Sequence, residues 1–264
     1  MSEICLGLIG KKLSHSFSPA YFSGKFRDNR LEDISYCNYE INHIDELIDV
    51  INRFDLNGFN VTIPFKEDVF SLCDWLSPEA REIGAVNCVV VEKSESTIKL
   101  KGYNTDCPAF LDTLKKYDLS QGQKALILGT GGSAKAVSHA LKTSGIIPVH
   151  VSRRKTKNTF QYRDDLPIEE CKIIVNCTPL GMYPNVNDSP NIPFHKLTSD
   201  HIVYDLIYNP EKTSFLQKAE EKGCILQNGM EMLITQAELS WSIWKEHFLL
   251  KETPDDSYPK TKIS

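Results

Sequence analysis

A lysine and an aspartate form the pair in this chain best suited to moving a proton. Lys66 ends the run Asn60-Val61-Thr62-Ile63-Pro64-Phe65-Lys66. It stands just behind a strand that Pro64 must stop, since proline has no N–H for the ladder. That spacing puts an ammonium at the carboxyl end of a strand, where open α/β sheets hold their ligands. Asp106 ends Asn104-Thr105-Asp106, at the junction of two sequence units. Brought together, an ammonium and a carboxylate can pass a proton to or from a substrate hydroxyl. Spacing alone does not bring them together. Lys66 can equally be a surface lysine, and Asp106, or Thr105 beside it, a helix cap.

A second group of residues points to a nucleotide. Gly129, Gly131 and Ala134 fit the spacing G-x-G-x-x-G/A between an apolar run at 124–128 and a helical stretch at 133–144. Gly129 permits the tight turn, Gly131 lets a pyrophosphate approach the backbone, and Ala134 is small enough for close helix–strand packing. The helix start offers free N–H groups and the positive end of its dipole to phosphates. The alternative is a plain glycine turn between core elements. An NAD site places Asp or Glu about 20 residues on, against the ribose 2′-hydroxyl. Here that stretch reads Val149-His150-Val151-Ser152-Arg153-Arg154-Lys155, with no acid and three cations. Guanidinium forks suit a 2′-phosphate, so NADP is the expected cofactor. The alternative is a solvated basic loop.

The elements that must position these groups follow from periodicity and punctuation. Strands are expected at 4–9 (closed by Gly10), 35–41, 58–64, 124–128, 148–151, 172–176, 201–206 and 224–227, and 86–92 with 97–101 should pair. Helices are expected after Ser18-Pro19, with Ser18 as cap and Pro19 in the first turn. Others follow through Ile44, Leu47, Ile48 and Ile51, and over 108–117, 133–144 and 231–247. Strands alternating with helices predict an α/β protein with mostly parallel sheets. The change of motif near residue 105 divides it. Residues 1–104 should form one unit. Residues 105–228 should form a Rossmann-type NADP-binding domain, and 251–264, polar with two prolines, a flexible tail.

Composition narrows the classes of function. Of 264 residues 41% are apolar, 35 are acidic and 30 basic, giving a net charge of −5. A nucleic-acid binder carries a positive footprint that this chain lacks. No apolar run reaches the roughly 18 residues that span a bilayer, and the N-terminus does not read as a signal peptide. The eight cysteines include no C-x-x-C pair, and the histidines no H-E-x-x-H. We therefore expect reduced thiols, mostly buried as small hydrophobes, a cytoplasmic location and no metal site.

Several motifs, in order along the chain, add a resemblance to these readings. They are Ser14-His15-Ser16-Phe17-Ser18-Pro19, the Asn60 to Lys66 run, Gly84-Ala85-Val86-Asn87 and Gly102-Tyr103-Asn104-Thr105-Asp106. Then come Gly129-Thr130-Gly131-Gly132, Asn176-Cys177-Thr178-Pro179-Leu180-Gly181-Met182, and Gly229-Met230-Glu231-Met232-Leu233 with Gln236-Ala237. Together they resemble the shikimate dehydrogenase family from about residue 5 to 240. The resemblance implies reduction of 3-dehydroshikimate to shikimate with NADPH, by hydride transfer in a cleft between two domains, with residues 1–104 and a returning helix at 229–250 forming the substrate-binding domain. It implies Lys66 and Asp106 as the catalytic pair, with Lys66 giving the proton to the carbonyl oxygen. Ser16 and Ser18 match the hydroxyls that hold the substrate carboxylate. Thr62, Asn87, Asp106 and Gln236 match the groups that bind ring hydroxyls, and Tyr208 joins that pocket. On the same ground the cofactor contacts are Gly129, Gly131, Gly132, Ser133, Ala134, Ser152, Arg153, Arg154, Thr178 and Gly229. The resemblance is compatible with a monomer or a homodimer.

The chain departs from the family pattern in places. Ser152-Arg153-Arg154 stands where Asn-Arg-Thr is frequent, Cys107 where a glycine is common, and Lys11-Lys12 where Asn-Pro is often seen. Arg153 keeps the phosphate-facing cation. Two other readings compete: a quinate/shikimate type that uses NAD, and a non-catalytic NADP-binding sensor on the same fold. The missing acid with Arg153-Arg154 opposes the first, and the presence of both Lys66 and Asp106 opposes the second.

Overall fold

Apolar strand residues and the helices between them build two six-stranded sheets in the computed structural model, which describes residues 3–95, 97–154, 158–162 and 165–249. The expected tail at 251–264 and the basic Lys155 lie outside these residues.

The first sheet gathers β1 (Ile4–Gly10), β2 (Ile34–Glu40), β3 (Leu56–Val61), β4 (Trp75–Leu76), β5 (Cys88–Lys93) and β6 (Ile98–Tyr103). Their order is β2-β1-β3-β5-β6-β4. β1 runs parallel to both β2 and β3. β5 runs antiparallel to β3 and to β6; a short polar turn joins β5 to β6, which requires that second pairing. The strand expected to reach Pro64 stops at Val61, and Thr62 adds one further bond from its N–H to Ile9 O at 2.9 Å. Helices α1 (Ser18–Asp28), α2 (Leu47–Arg53), α3 (Lys66–Leu72) and α4 (Pro78–Ile83) flank this sheet. Pro19 sits in the first turn of α1 as expected. Ser18 does not cap it: the cap position is Phe17, without a side-chain bond. The 7% exposed Ser18 instead brings its hydroxyl within reach of Tyr36.

α5 (Asp106–Leu114) leads into the second sheet, made of β7 (Lys124–Leu128), β8 (Ile147–Ser152), β9 (Thr159–Gln161), β10 (Cys171–Asn176), β11 (Ile202–Asp205) and β12 (Ile225–Gln227). All neighbours are parallel in the order β12-β11-β10-β7-β8-β9. This is the doubly wound order, with its switch point between β7 and β10. α6 (Gly132–Thr143) follows β7 and α7 (Ser214–Glu220) follows β11. The crossover from β8 to β10 is short, and among the described residues it holds β9 and one 3₁₀ turn at Ile168–Glu170 but no α-helix.

α8 (Met230–Phe248) returns across the molecule. Its Met232 packs in the core of the second sheet with Phe110, Leu114 and Tyr204. Its Ala237, Trp241 and Trp244 pack under the first sheet with Leu6, Phe22 and Val90. Trp244 is fully buried and donates from Nε1 to Val89 O at 2.9 Å. The cysteines carry free thiols: four are buried, three half-buried, and Cys37 exposed. Among the described residues no helix is long and apolar enough to cross a membrane.

Candidate active site

The loops at the carboxyl ends of β1 and β3 face those of β7, β10 and β11, and the charged pair lies between them. Lys66 is the first residue of α3 and Asp106 the first of α5. Nζ of Lys66 lies 2.6 Å from Oδ2 of Asp106, with side chains only 11% and 7% exposed. Neither the surface-lysine nor the helix-cap alternative survives. An ion pair taken this far from water gives little net stability, because desolvation offsets the attraction. Removing one partner is costly, since it strands the other. Such a pair is therefore better explained by chemistry than by folding.

Asn87 holds the aspartate. Its Nδ2 lies 2.9 Å from both Asp106 Oδ1 and Thr105 Oγ1, and 3.4 Å from Gln236 Oε1. Its Oδ1 accepts from Thr105 N at 2.6 Å. Asn60 lies behind, donating to Asn87 O at 3.1 Å and to Ser240 Oγ at 2.8 Å, and Tyr36 donates to Asn60 Oδ1 at 2.9 Å. Each buried polar group in this series has a partner, as low dielectric demands.

Three residues expected to touch substrate meet in a separate group. Ser16 Oγ accepts from Ser18 N at 3.4 Å, and Phe17 N donates to Tyr208 OH at 3.4 Å. Phe17 and Tyr208 rings are 6.4 Å apart, and the His15 ring meets Tyr183 edge-on at 4.1 Å. The loop after β1 thus touches the loops after β10 and β11. Thr62 begins the turn that leads into α3.

The glycine loop fits a dinucleotide. Gly129 has φ +113°, a left-handed value that favours glycine. A Cβ there would come 3.2 Å from Thr178 Cγ2, so the loops after β7 and β10 are in contact at the switch point. A Cβ at Gly131 would meet nothing within 4 Å. The space over that residue is open, which is what a close-approaching pyrophosphate needs. α6 starts there with Gly131 as cap and no side-chain cap bond. Its first N–H groups remain available to phosphate oxygens. Ala134 is buried between α6 and the sheet, as expected. Ser152 ends β8, and its Oγ accepts from Arg154 N at 3.2 Å. Arg153 and Arg154 are exposed, and neither has an ion pair among the described residues. Gly229 caps α8 and donates to Ile207 O at 3.0 Å.

Comparison with known proteins bears on both halves of this arrangement. A family model described as the shikimate dehydrogenase substrate binding domain matches residues 8–89. The NADP(+) shikimate dehydrogenase of Carboxydothermus hydrogenoformans is 38% identical over 90% of this chain and 90% of its own. The chain belongs to the shikimate dehydrogenase family. A shikimate dehydrogenase from Peptoclostridium difficile superposes with TM-score 0.80 at 37% identity, covering 92% of each chain. The Thermus thermophilus shikimate 5-dehydrogenase, solved with NADP(H) and shikimate, does so with TM-score 0.77 at 31% identity, covering 91% of this chain and 93% of that one.

As a shikimate dehydrogenase family member, the chain has one feature its motifs left unread. Asp205, at the end of β11, is fully buried. It accepts from Asn176 Nδ2 at 3.0 Å, Ile207 N at 3.1 Å and Thr213 Oγ1 at 2.6 Å. Asn176 Oδ1 in turn accepts from Thr178 N at 3.0 Å and Thr178 Oγ1 at 2.7 Å. One carboxyl therefore ties the Thr178 loop to the Tyr208 loop. Burial outweighs the three donors and pushes it up to about 6. Burial also drives the Cys177 thiol far up, with Asp205 adding to the shift. An aspartate after an apolar strand was a legible signal; its partners, scattered over three elements, were not.

Proposed function

We propose that this protein is an NADP-dependent shikimate dehydrogenase in which Lys66 and Asp106 carry the proton transfer. The substrate lobe is 1–104 with 229–250, and the nucleotide lobe is 105–228. The observation that carries the reading is the buried Lys66–Asp106 pair set beside the first turn of α6.

Ser16 and Ser18 hold the substrate carboxylate. Thr62, Gln236 and Tyr208 bond its ring hydroxyls, while Asn87 serves mainly by orienting Asp106. A site made of such groups rejects an analogue lacking a hydroxyl, because its own polar atoms would be left unpaired. The backbone of Gly129, Gly131, Gly132, Ser133 and Ala134 cradles the cofactor pyrophosphate, and Ser152, Arg153 and Arg154 take the 2′-phosphate, which favours NADP over NAD. Thr178 and Gly229 border the same crevice. When bound, NADPH supplies the hydride that reduces C3 of 3-dehydroshikimate. Lys66 gives a proton from Nζ to the carbonyl oxygen as it becomes a hydroxyl, and Asp106 steadies the ammonium and shares in replacing that proton. In the reverse direction neutral Lys66 removes the hydroxyl proton. The protein works in the cytoplasm on a small-molecule substrate, as a monomer or homodimer.

The test is absorbance at the nicotinamide band with shikimate and quinate, each paired with NADP+ and NAD+. Shikimate with NADP+ should be fastest, and Lys66→Ala should lose at least about 100-fold in turnover while circular dichroism stays that of a folded protein. Near-wild-type turnover in that variant would remove Lys66 from the chemistry. Nucleotide binding without turnover in any pairing would mark a sensor.

A further inference from the structure

Lys66 has a second hydrogen-bond acceptor, and it comes from the other sheet. Besides reaching Asp106, Nζ donates to Ser133 Oγ at 3.1 Å. Ser133 is the second residue of α6, and Gly131, not Ser133, holds the cap position. The approach is steric as well as polar. A Cβ at Gly132 would fall 2.8 Å from Lys66 Cβ, closer than such atoms pack, so the first turn of α6 reaches the lysine only because that residue is glycine.

We propose that Ser133 is a positioning residue for Lys66: the nucleotide lobe aims the ammonium that the substrate lobe supplies. An ammonium has three N–H donors. With one on Asp106 and one on Ser133, the third has a fixed direction left for the substrate oxygen. Without Ser133 only Asp106 holds Nζ, the lysine chain can swing about its own torsions, and the third donor loses its aim. Since Lys66 begins α3 and Ser133 lies in α6, that aim exists only while the two helices meet. The proposal rests on the activity assigned above and gives the Ser133 hydroxyl a task beyond the contact its backbone makes with a cofactor phosphate.

Ser133→Ala and Ser133→Thr in the full chain test it, with two readouts. The first is kcat and KM for shikimate and NADP+. The second, on nucleotide-free protein, is the rate at which acetic anhydride acylates Lys66, read by peptide mass spectrometry. Ser133→Ala should lower kcat about tenfold, leave the NADP+ KM within about twofold, and speed acylation about threefold or more, since the amine is no longer tethered on two sides. Ser133→Thr, which keeps the hydroxyl, should restore both. An unchanged kcat, a loss confined to the NADP+ KM, or an unchanged acylation rate overturns the proposal. Absent shikimate turnover in the wild type would overturn the assigned activity instead, and the acylation rates would still decide the case for Ser133.

Discussion

Asp205 shows what a single buried carboxyl does away from the reacting atoms. Its ordinary value of 3.8 is pushed up to about 6 by burial, against three donors that pull it down. The unfolded chain therefore loses this proton first, and the folded state binds more protons between about pH 4 and about pH 6. Stability contributed by this group is complete below that window and falls as pH rises through it. The loss is on the order of 3 kcal/mol at most. Asp205→Asn should flatten that dependence, as its amide can accept from Asn176 and Ile207 while Thr213 turns to accept from it. Denaturant unfolding at several pH values across the window checks this: an unchanged slope in the variant would show that other groups set it. The local sequence shows an aspartate after an apolar strand but not the burial and the distant partners that set its behaviour. Lys66 and Asp106, by contrast, were nameable from their motifs, although their 2.6 Å approach was not. Spacing of one residue type says nothing about where a distant partner lands.

Elements were legible in proportion to their length and punctuation. β1, β7 and α6 appeared within a residue or so of their expected bounds, because Gly10 and the glycine loop fix their ends. The short helices α3, α4 and α7 and the strands β4 and β9 were missed, being too brief for a period to emerge. α3 matters most among them, since it turns Lys66 from a loop residue into the first residue of a helix. α4 had a readable start: Ser77 accepts from Ala80 N at 3.1 Å, Pro78 occupies the first turn, and Gly84 closes the helix with φ +72°. That cap anchors the segment carrying Ile83 and Ala85 into the core shared with α6. Ser77→Ala should cost about 1 kcal/mol, read as a lower denaturation midpoint with an unchanged m-value. A change below a few tenths would mean the helix is held by packing alone.

Across the whole molecule, the contacts between the two sheets differ in worth. Lys135 pairs with Glu67 across the α3–α6 meeting, but both side chains are over a third exposed. Such a pair contributes about 0–1 kcal/mol. The Gly132–Lys66 approach is different in kind, because volume cannot be screened. Gly132→Ala should push α6 off the lysine and lower kcat by about tenfold or more, as a misplacement near 1 Å can. Its Tm should fall by only a few degrees, since the helix preference of alanine over glycine offsets part of the strain. Lys135→Ala should leave both almost untouched. Equal kcat in Gly132→Ala and wild type would show that the two lobes do not need this distance. The doubly wound order of the second sheet was foreseeable from its glycine loop and alternating strands, and the return of the last helix to the first unit was expected from the resemblance, whereas the packing of its Met232 into the second core was visible only in three dimensions.

That sharing has a consequence for synthesis. Met232, Trp241 and Trp244 complete two cores at once, and Gln236 stands between them beside Asn87. On the ribosome, Lys66, Asp106 and the whole glycine loop are translated well before residues 230–248 leave the exit tunnel. Until they do, both sheets lack one wall, and the newborn polypeptide has its chemistry spelled out but no place to perform it.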